Sequence, residues 1–233
     1  MMPRGMTTGR SSLVIALAVA IFSIGPFAAF AADDTYPPPE TRAAISVVVD
    51  SADVRIDHSQ DADAIAALAG RRAPARPVSR QRITGLTAAE FEIAYDIGVA
   101  YRRVKRGLVC VWLRAVNLRL GYPRTTIYID RRYRRGNCAF AAVLEHENEH
   151  VAINDRTFRQ FLPRLRRGLE RAVMANGVIA VRTERAAKGT YGAIIDRALE
   201  PHLARFHAAR EGQHADLDSP ASYAAMQDRC PDW

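Results

Sequence analysis

The sequence predicts an α+β fold, in which an antiparallel β-meander precedes a set of helices. From Phe91 to Tyr101, apolar or aromatic side chains alternate with small or charged ones, and this period of two indicates a half-buried strand. Two further runs of strand-forming residues, 108–120 and 125–130, follow after short connections, which favours antiparallel pairing. From Ala139 onwards the apolar residues recur at helical spacing.

The first 31 residues of the 233-residue chain have the organisation of a secretory signal peptide. Arg4 and Arg10 give a basic start, an apolar run follows over 13–30, and a small-residue cleavage site ends at Ala31. A retained membrane anchor is the competing interpretation, since the apolar run approaches the length of a spanning helix. We expect cleavage, and hence a periplasmic or secreted protein with no stable membrane insertion after the signal is removed.

Residues 32–82 are predicted to form an N-terminal leader. The segments 45–49 and 54–56 resemble short strands, and 59–69 suits a short helix. The basic stretch from Gly70 to Arg82 is interrupted by prolines and is predicted to be a linker.

Three helical runs are predicted after the strands. The first begins near Ala139, where Asn137 is available as its N-cap. The second covers 157–175 and the third covers 191–212, and each of these two contains a proline.

The chain is basic, with a formal net charge of +8. Basic residues cluster at 71–72, 102–106, 131–135 and 164–171. We interpret these clusters as solvated faces or as surfaces attracted to an anionic cell envelope. Nucleic acid is not an expected partner of an exported protein.

The three cysteines can form at most one internal disulfide. We expect a bridge between Cys110, in a predicted strand, and Cys138, just before the first predicted helix. Such a bridge would attach the helix to the sheet and stabilise the fold by about 3–4 kcal/mol. In the alternative, Cys110 is a small core residue and Cys230 takes its place in the pair.

The stretch LEHENEHV, residues 144–151, carries the pattern H-E-x-x-H on the predicted helix. His146 and His150 are four residues apart, so their rings leave the same helix face and can bind one ion. Glu147 is rotated by about 100° around the helix, which sets its carboxylate beside the ion as a general base. The pattern therefore predicts the zinc site of a metallopeptidase. The alternative is a solvated helix face with two histidines among carboxylates.

A zinc site needs more ligands than two histidines. His202 is the favoured third ligand, because it projects from the apolar stripe of the predicted helix 191–212. Glu170 is its rival, since its position relative to His150 matches a thermolysin-like arrangement. The other candidates are Asp155, Glu200 and His207, whereas surface positions are expected for His58 and His214.

Taken with the signal peptide and the cysteine-bearing strands, this motif resembles the uncharacterised bacterial family of predicted secreted zinc-dependent proteases. The resemblance covers roughly 82–223 and is sharpest at His146, Glu147, His150 and Val151. It implies a zincin-like metallopeptidase domain over 83–223, followed by a C-terminal tail, 224–233.

The family also carries a tyrosine, an aspartate, a threonine and a histidine-glycine pair near its end. The corresponding stretch here is HADLDSPASY, residues 214–223, in which Asp216 and Ser219 could stand for the aspartate and the threonine. The histidine-glycine pair is absent from this stretch.

Two functions of different classes follow from these residues. The first is a secreted zinc-dependent peptidase, in which Glu147 takes a proton from water and the substrate is a peptide or protein, possibly a cell-wall peptide. The second is a non-catalytic envelope or metal-binding module with the same fold. The sequence does not identify the substrate, because specificity depends on pocket shape.

Overall fold

The computed structural model describes residues 42–51, 53–72, 84–104, 107–231 and 233. The predicted signal peptide lies outside these residues, as does most of the predicted linker. Within the described residues the fold is α+β, as predicted. The strands are β1 (Ala44–Asp50), β2 (Asp53–Asp57), β3 (Gly85–Ala89), β4 (Glu92–Arg103), β5 (Val109–Gly121), β6 (Arg124–Ile129) and β7 (Val178–Val181). The helices are α1 (Ala62–Arg72), α2 (Cys138–Ala175), α3 (Glu184–Leu217) and α4 (Pro220–Gln227).

The strands form two sheets rather than the predicted antiparallel meander. The first sheet has the order β1-β5-β4, with β7 also paired to β5, and the second has the order β2-β6-β3. In the first sheet, β5 pairs with β4 in antiparallel and with β1 in parallel orientation. In the second sheet, β6 pairs with β3 in antiparallel and with β2 in parallel orientation. The meander prediction is therefore wrong, because the runs 108–120 and 125–130 enter different sheets and do not pair with each other.

A bend at Gly121 gives the physical reason for this difference. Asp50 pairs with Gly121 and Asp53 pairs with Arg124, so two parallel neighbours advance together from the first sheet to the second. At Gly121 φ is +148°, and a Cβ atom there would lie 2.2 Å from the carbonyl oxygen of Asp50. Only glycine fits this bend. The chain therefore enters the second sheet without reversing its direction.

The segment predicted as a leader contributes strands to both sheets. β1 pairs with β5 and β2 pairs with β6. The helix predicted there is α1, which begins later than expected because the carboxylate of Asp61 accepts a 3.0 Å hydrogen bond from the N–H of Ala64.

Helix α2 is longer than predicted, since it continues through Pro163. Asn137 is its N-cap, as predicted, and its side chain accepts a 2.8 Å hydrogen bond from the N–H of Phe140. A proline inside a helix costs about 3 kcal/mol, and burying one large apolar side chain returns about 1.5–3 kcal/mol. α2 buries four of them around the proline: Phe158, Leu165, Leu169 and Val173. The separate helix predicted over 157–175 is therefore wrong.

The main core lies between the first sheet and the helix pair α2 and α3. Gly168 packs against His202 while Thr157 bonds to Gln213, so these two helices run antiparallel. The largest fully buried side chains of this core are Tyr191, Phe206, Leu118, Leu120, Leu169, Ile195 and Leu199. In the described residues, no helix combines the length and the apolar character needed to cross a membrane.

A smaller core fixes the start of α2 to the second sheet. It contains Ile127 and Ile129 from β6 together with Ala139, Phe140 and Val143 from α2. The part of α2 that carries the histidines is therefore supported by the second sheet.

A disulfide joins Cys138, the first residue of α2, to Cys230 near the C-terminus. The predicted bridge from Cys110 to Cys138 is wrong. Cys110 is buried in β5, opposite β4 and β7 of the first sheet, whereas α2 begins against the second sheet. The bridge instead holds the segment that contains α4 against the start of α2.

Candidate metal centre

Three polar residues of the H-E-x-x-H pattern are buried on α2. His146, Glu147 and His150 are 8%, 4% and 9% exposed, and their potential ligand atoms all lie within 4.8 Å of one another. Buried ionisable groups are costly unless they are paired or bind an ion. The group could hold a metal ion.

Asp218 lies outside this group but contacts both of its histidines from the turn between α3 and α4. Its Oδ1 atom lies 3.2 Å from Nε2 of His146 and 3.0 Å from Nε2 of His150. The residue is the C-cap of α3, and Ser219 immediately caps α4. One carboxylate oxygen therefore contacts the Nε2 atoms of both imidazoles.

A hydrogen-bonded chain fixes the ring of His150. Nε2 of His214 lies 3.0 Å from Oδ1 of Asn154, and Nδ1 of His214 lies 2.7 Å from Nδ1 of His150. The amide oxygen of Asn154 can only accept a hydrogen bond, so Nε2 of a neutral His214 donates to it. Nδ1 of His214 then accepts a hydrogen bond from Nδ1 of His150. In a neutral His150 the remaining nitrogen, Nε2, then presents a lone pair to Asp218.

This arrangement needs a positive charge between His150 and Asp218. Without one, a nitrogen lone pair and a carboxylate oxygen would face each other at 3.0 Å. A proton can supply the charge: burial lowers the pKa of His150, but its hydrogen bond to Asp218 and the charge of Glu147 raise it further, and the net pKa is raised. A metal ion can supply it in place of the proton.

The observed distances suit a small metal ion. Zinc bonds to nitrogen and oxygen of about 2.0–2.2 Å place neighbouring atoms of a tetrahedral site about 3.3–3.6 Å apart. The two contacts of Asp218, at 3.2 and 3.0 Å, are only slightly shorter. Two imidazole nitrogens and one carboxylate oxygen are also the donor types that such an ion prefers.

Tyr223 of α4 holds Asp218 in this position. Its hydroxyl donates a 3.2 Å hydrogen bond to Asp218 Oδ1, and its ring lies 5.0 Å from the ring of His146. Burial raises the pKa of Tyr223, so the phenol keeps its proton. For Asp218, burial raises the pKa, but the bonds from His146 and His150 outweigh it, and the pKa falls well below its usual range.

Glu147 lies beside the histidines and is held from the second sheet. The hydroxyl of Thr87 in β3 lies 2.8 Å from its Oε2 atom. Burial raises the pKa of Glu147, and the charges of His150 and His146 only partly oppose this effect. The raised pKa means that the carboxyl group keeps its proton to a higher pH than an exposed glutamate does.

The favoured third ligand and its rival lie elsewhere. His202 packs on α2, where its Nε2 atom would lie 2.6 Å from a Cβ added at Gly168, and burial and then the arginines around it lower its pKa. Glu170 forms an exposed ion pair with Arg166. Neither residue belongs to the group of potential ligand atoms found in the described part of the chain.

The other candidates are also occupied elsewhere or exposed. Asp155 pairs with Arg159, Glu200 is exposed, and His207 packs against Phe91. His58, expected at the surface, lies edge-on to the ring of Phe140 and is partly buried.

Sequence reasoning missed Asp218 and the role of His214. Asp216, the aspartate offered by the family resemblance, is exposed, and Ser219 acts as the N-cap of α4. A signal for Asp218 was present, since Ser219 followed by Pro220 predicts a new helix start and places Asp218 in the turn before it. Turn residues carry functional groups more often than helix interiors do.

No known protein family, no curated protein and no solved structure matches this chain. The resemblance to secreted zinc-dependent proteases therefore stays a prediction from the residues. The evidence for the candidate metal centre is the arrangement of its side chains.

Proposed function

We propose that the protein is a zinc-dependent peptidase with a zincin-like arrangement, which acts in the periplasm or outside the cell. The observation that supports this most strongly is the position of Asp218 Oδ1 between His146 Nε2 and His150 Nε2, next to the buried carboxyl of Glu147. Polar residues collected in this way on a buried helix face are typical of catalytic sites. The disulfide suits an oxidising compartment.

His146, His150 and Asp218 are the proposed ligands, with Asp218 in place of His202. A zinc ion held by these three residues would lower the pKa of a bound water and polarise a carbonyl group. His214 and Asn154 support this set, because they orient His150 so that Nε2 is its coordinating nitrogen. Tyr223 supports the ligand set at Asp218, because its hydroxyl donates a hydrogen bond to the carboxylate of Asp218.

Glu147 is the proposed general base. Its carboxylate takes a proton from the attacking water, and the same group can then give that proton to the leaving amine. Burial raises its pKa, which suits a group that must both accept and release a proton. The proposed substrate is a peptide or protein, and a cell-wall peptide fits the proposed location.

Replacing Glu147 with Gln tests this function. We expect hydrolysis of a broad peptide library, followed by mass spectrometry, to fall by about 10²–10⁴-fold, because the proton acceptor is lost. Zinc content, measured by elemental analysis, should stay near that of the wild type. Glu145→Gln is the control, since this carboxylate is exposed on the same helix.

Equal hydrolysis by the wild type and Glu147→Gln would contradict the proposal. A wild-type protein that binds zinc and cleaves no peptide of the library would instead support the non-catalytic metal-binding module.

A further inference from the structure

We propose that strand β3 positions the general base through two residues, Gly85 and Thr87, which we call the β3 clasp. This inference rests on the proposed function of Glu147. In it, Thr87 is a positioning residue that holds one carboxyl oxygen, and Gly85 leaves the space that the other oxygen occupies.

The two residues face α2 from the same side of β3. They are two positions apart in a strand, so their side-chain positions lie on one face of the second sheet. β3 is the outer strand of that sheet, with β6 on its other side. α2 packs against both β3 and β6, so the clasp lies on the sheet face that meets the segment of α2 carrying the histidines.

Thr87 makes two contacts with the same glutamate. Its hydroxyl oxygen lies 2.8 Å from Glu147 Oε2 and 2.8 Å from the backbone carbonyl oxygen of Glu147. A threonine hydroxyl has one proton to donate and two lone pairs to accept with. It can therefore keep a hydrogen bond to Glu147 whether or not the carboxyl group holds a proton.

Gly85 contributes space rather than a bond. A Cβ atom at this position would lie 2.6 Å from Glu147 Oε1 and 2.7 Å from a methyl group of Val143. Real Cβ atoms do not approach so closely, and Val143 is buried in the smaller core and cannot move away freely. An alanine here would push the carboxyl group out of its place.

The clasp answers a physical requirement of a buried base. A glutamate side chain loses rotamer freedom when it is fixed, and a charged carboxylate without a partner is costly to bury. In the described residues, the hydroxyl of Thr87 is the side-chain donor found within hydrogen-bonding distance of the Glu147 carboxyl. A base misplaced by about 1 Å can lose on the order of 10²-fold in rate.

Thr87→Val and Thr87→Ser form a matched pair for the test. Valine keeps the shape and removes the hydroxyl, whereas serine keeps the hydroxyl. With the zinc-loaded protein, we expect Thr87→Val to lower kcat by about tenfold or more with KM and zinc content near wild type. Thr87→Ser should recover most of kcat, and Gly85→Ala should behave like Thr87→Val.

A second readout does not depend on activity. In the metal-free protein, urea unfolding of Thr87→Val, Glu147→Ala and the double variant forms a double-mutant cycle. We expect the two residues to be coupled by about fivefold in the unfolding equilibrium constant, as for one hydrogen bond. Independent effects of the two substitutions would overturn the clasp.

The outcomes separate this inference from the proposed function. If Glu147→Gln is inactive while Thr87→Val has the kcat of the wild type, the clasp is wrong and the peptidase stands. If Glu147→Gln is as active as the wild type, the proposed function fails and the catalytic role of the clasp fails with it. Loss of zinc from Thr87→Val would also overturn the positioning role, since Thr87 would then support the ligands.

Discussion

Both halves of α2 bury apolar side chains, but only the half before Pro163 also buries polar ones. Before Pro163, the helix buries polar groups that meet partners from α3, α4 and β3: His146, Glu147, His150, Asn154 and Thr157. After Pro163, it buries Leu165, Leu169 and Val173 and exposes its arginines. A histidine in the second environment, His202, packs against glycine, whereas histidines in the first meet a carboxylate. Buried polar partners, rather than a histidine in an apolar stripe, mark the site.

Helix geometry shows why the two halves cannot share a ligand. His202 contacts α2 at Gly168, whereas the two metal-site histidines lie at 146 and 150. At 1.5 Å per residue, Gly168 lies about 27 Å along the helix from His150. Because α2 and α3 run antiparallel, the residues opposite the histidines come from the end of α3, where Asp218 lies.

The largest expected effect comes from removing both histidines of the first half. In the double variant His146→Ala and His150→Ala, the remaining carboxylates cannot close a zinc site. We expect zinc content, measured on purified protein, to fall from about one ion per chain to a trace. One zinc ion per chain in this variant would contradict the metal site, because the polar half of α2 would then be only a charged helix face.

Removing the disulfide should affect both the stability of the fold and the affinity of the metal site for zinc. Its loop spans 92 residues, and the chain-entropy relation gives about 4–5 kcal/mol for its contribution to the free energy of unfolding. We expect Cys138→Ser with Cys230→Ser to lose a few kcal/mol in urea unfolding and to bind zinc more weakly. The segment with Asp218 and Tyr223 then loses its covalent anchor.

Cys110→Ala is the control for that experiment. Cys110 is buried in the first sheet, so its replacement should lower stability without lowering zinc affinity. Unchanged zinc binding in the variant without the disulfide would show that the C-terminal segment needs no anchor.

A smaller effect should appear in the pH dependence of the metal-free protein. The pKa of Asp218 is lowered and that of His150 is raised, so their ion pair stabilises the fold above about pH 4 and below about pH 6.5. That stability is lost at low pH as Asp218 is protonated, and at higher pH as His150 loses its proton. The raised pKa of Glu147 acts in the same direction as that of His150, but its contribution declines from the ordinary glutamate pKa of about 4.5 upwards.

Urea unfolding of the metal-free protein should therefore show stability that falls as the pH rises above about 6.5. Added zinc should remove this fall, because the ion replaces the proton between His150 and Asp218. The variant His150→Ala should show a flatter profile. Metal-free stability that rises over this pH range would contradict the ion pair.

The sequence predicts the features that depend on neighbouring residues. The α+β class, the cap at Asn137 and the spacing of His146, Glu147 and His150 all follow from local patterns. The contact with Asp218 does not follow from local patterns, since it depends on the antiparallel packing of α2 and α3. The bend at Gly121 could not be predicted for the same reason. It depends on the nearby carbonyl oxygen of Asp50, a residue far away in the sequence.

The disulfide and the third ligand have the same physical origin. Both depend on where the C-terminal segment returns to α2. A sequence does not show which residues of α2 will lie beside the turn that ends α3. Stripe periodicity correctly placed His202 in an α-helix, but it could not show that the facing residue is Gly168. Side-chain chemistry is local, whereas the pairing of distant elements is set by the whole fold.

Zinc affinity of three aspartate and histidine variants tests the central claim most directly. Isothermal titration of metal-free protein with zinc should show that Asp218→Ala weakens binding by about 100-fold or more, because one of three ligands is lost. Asp216→Ala, two positions away and exposed, and His202→Ala should bind like the wild type. Wild-type affinity in Asp218→Ala, or loss of binding in His202→Ala, would contradict the proposed metal centre.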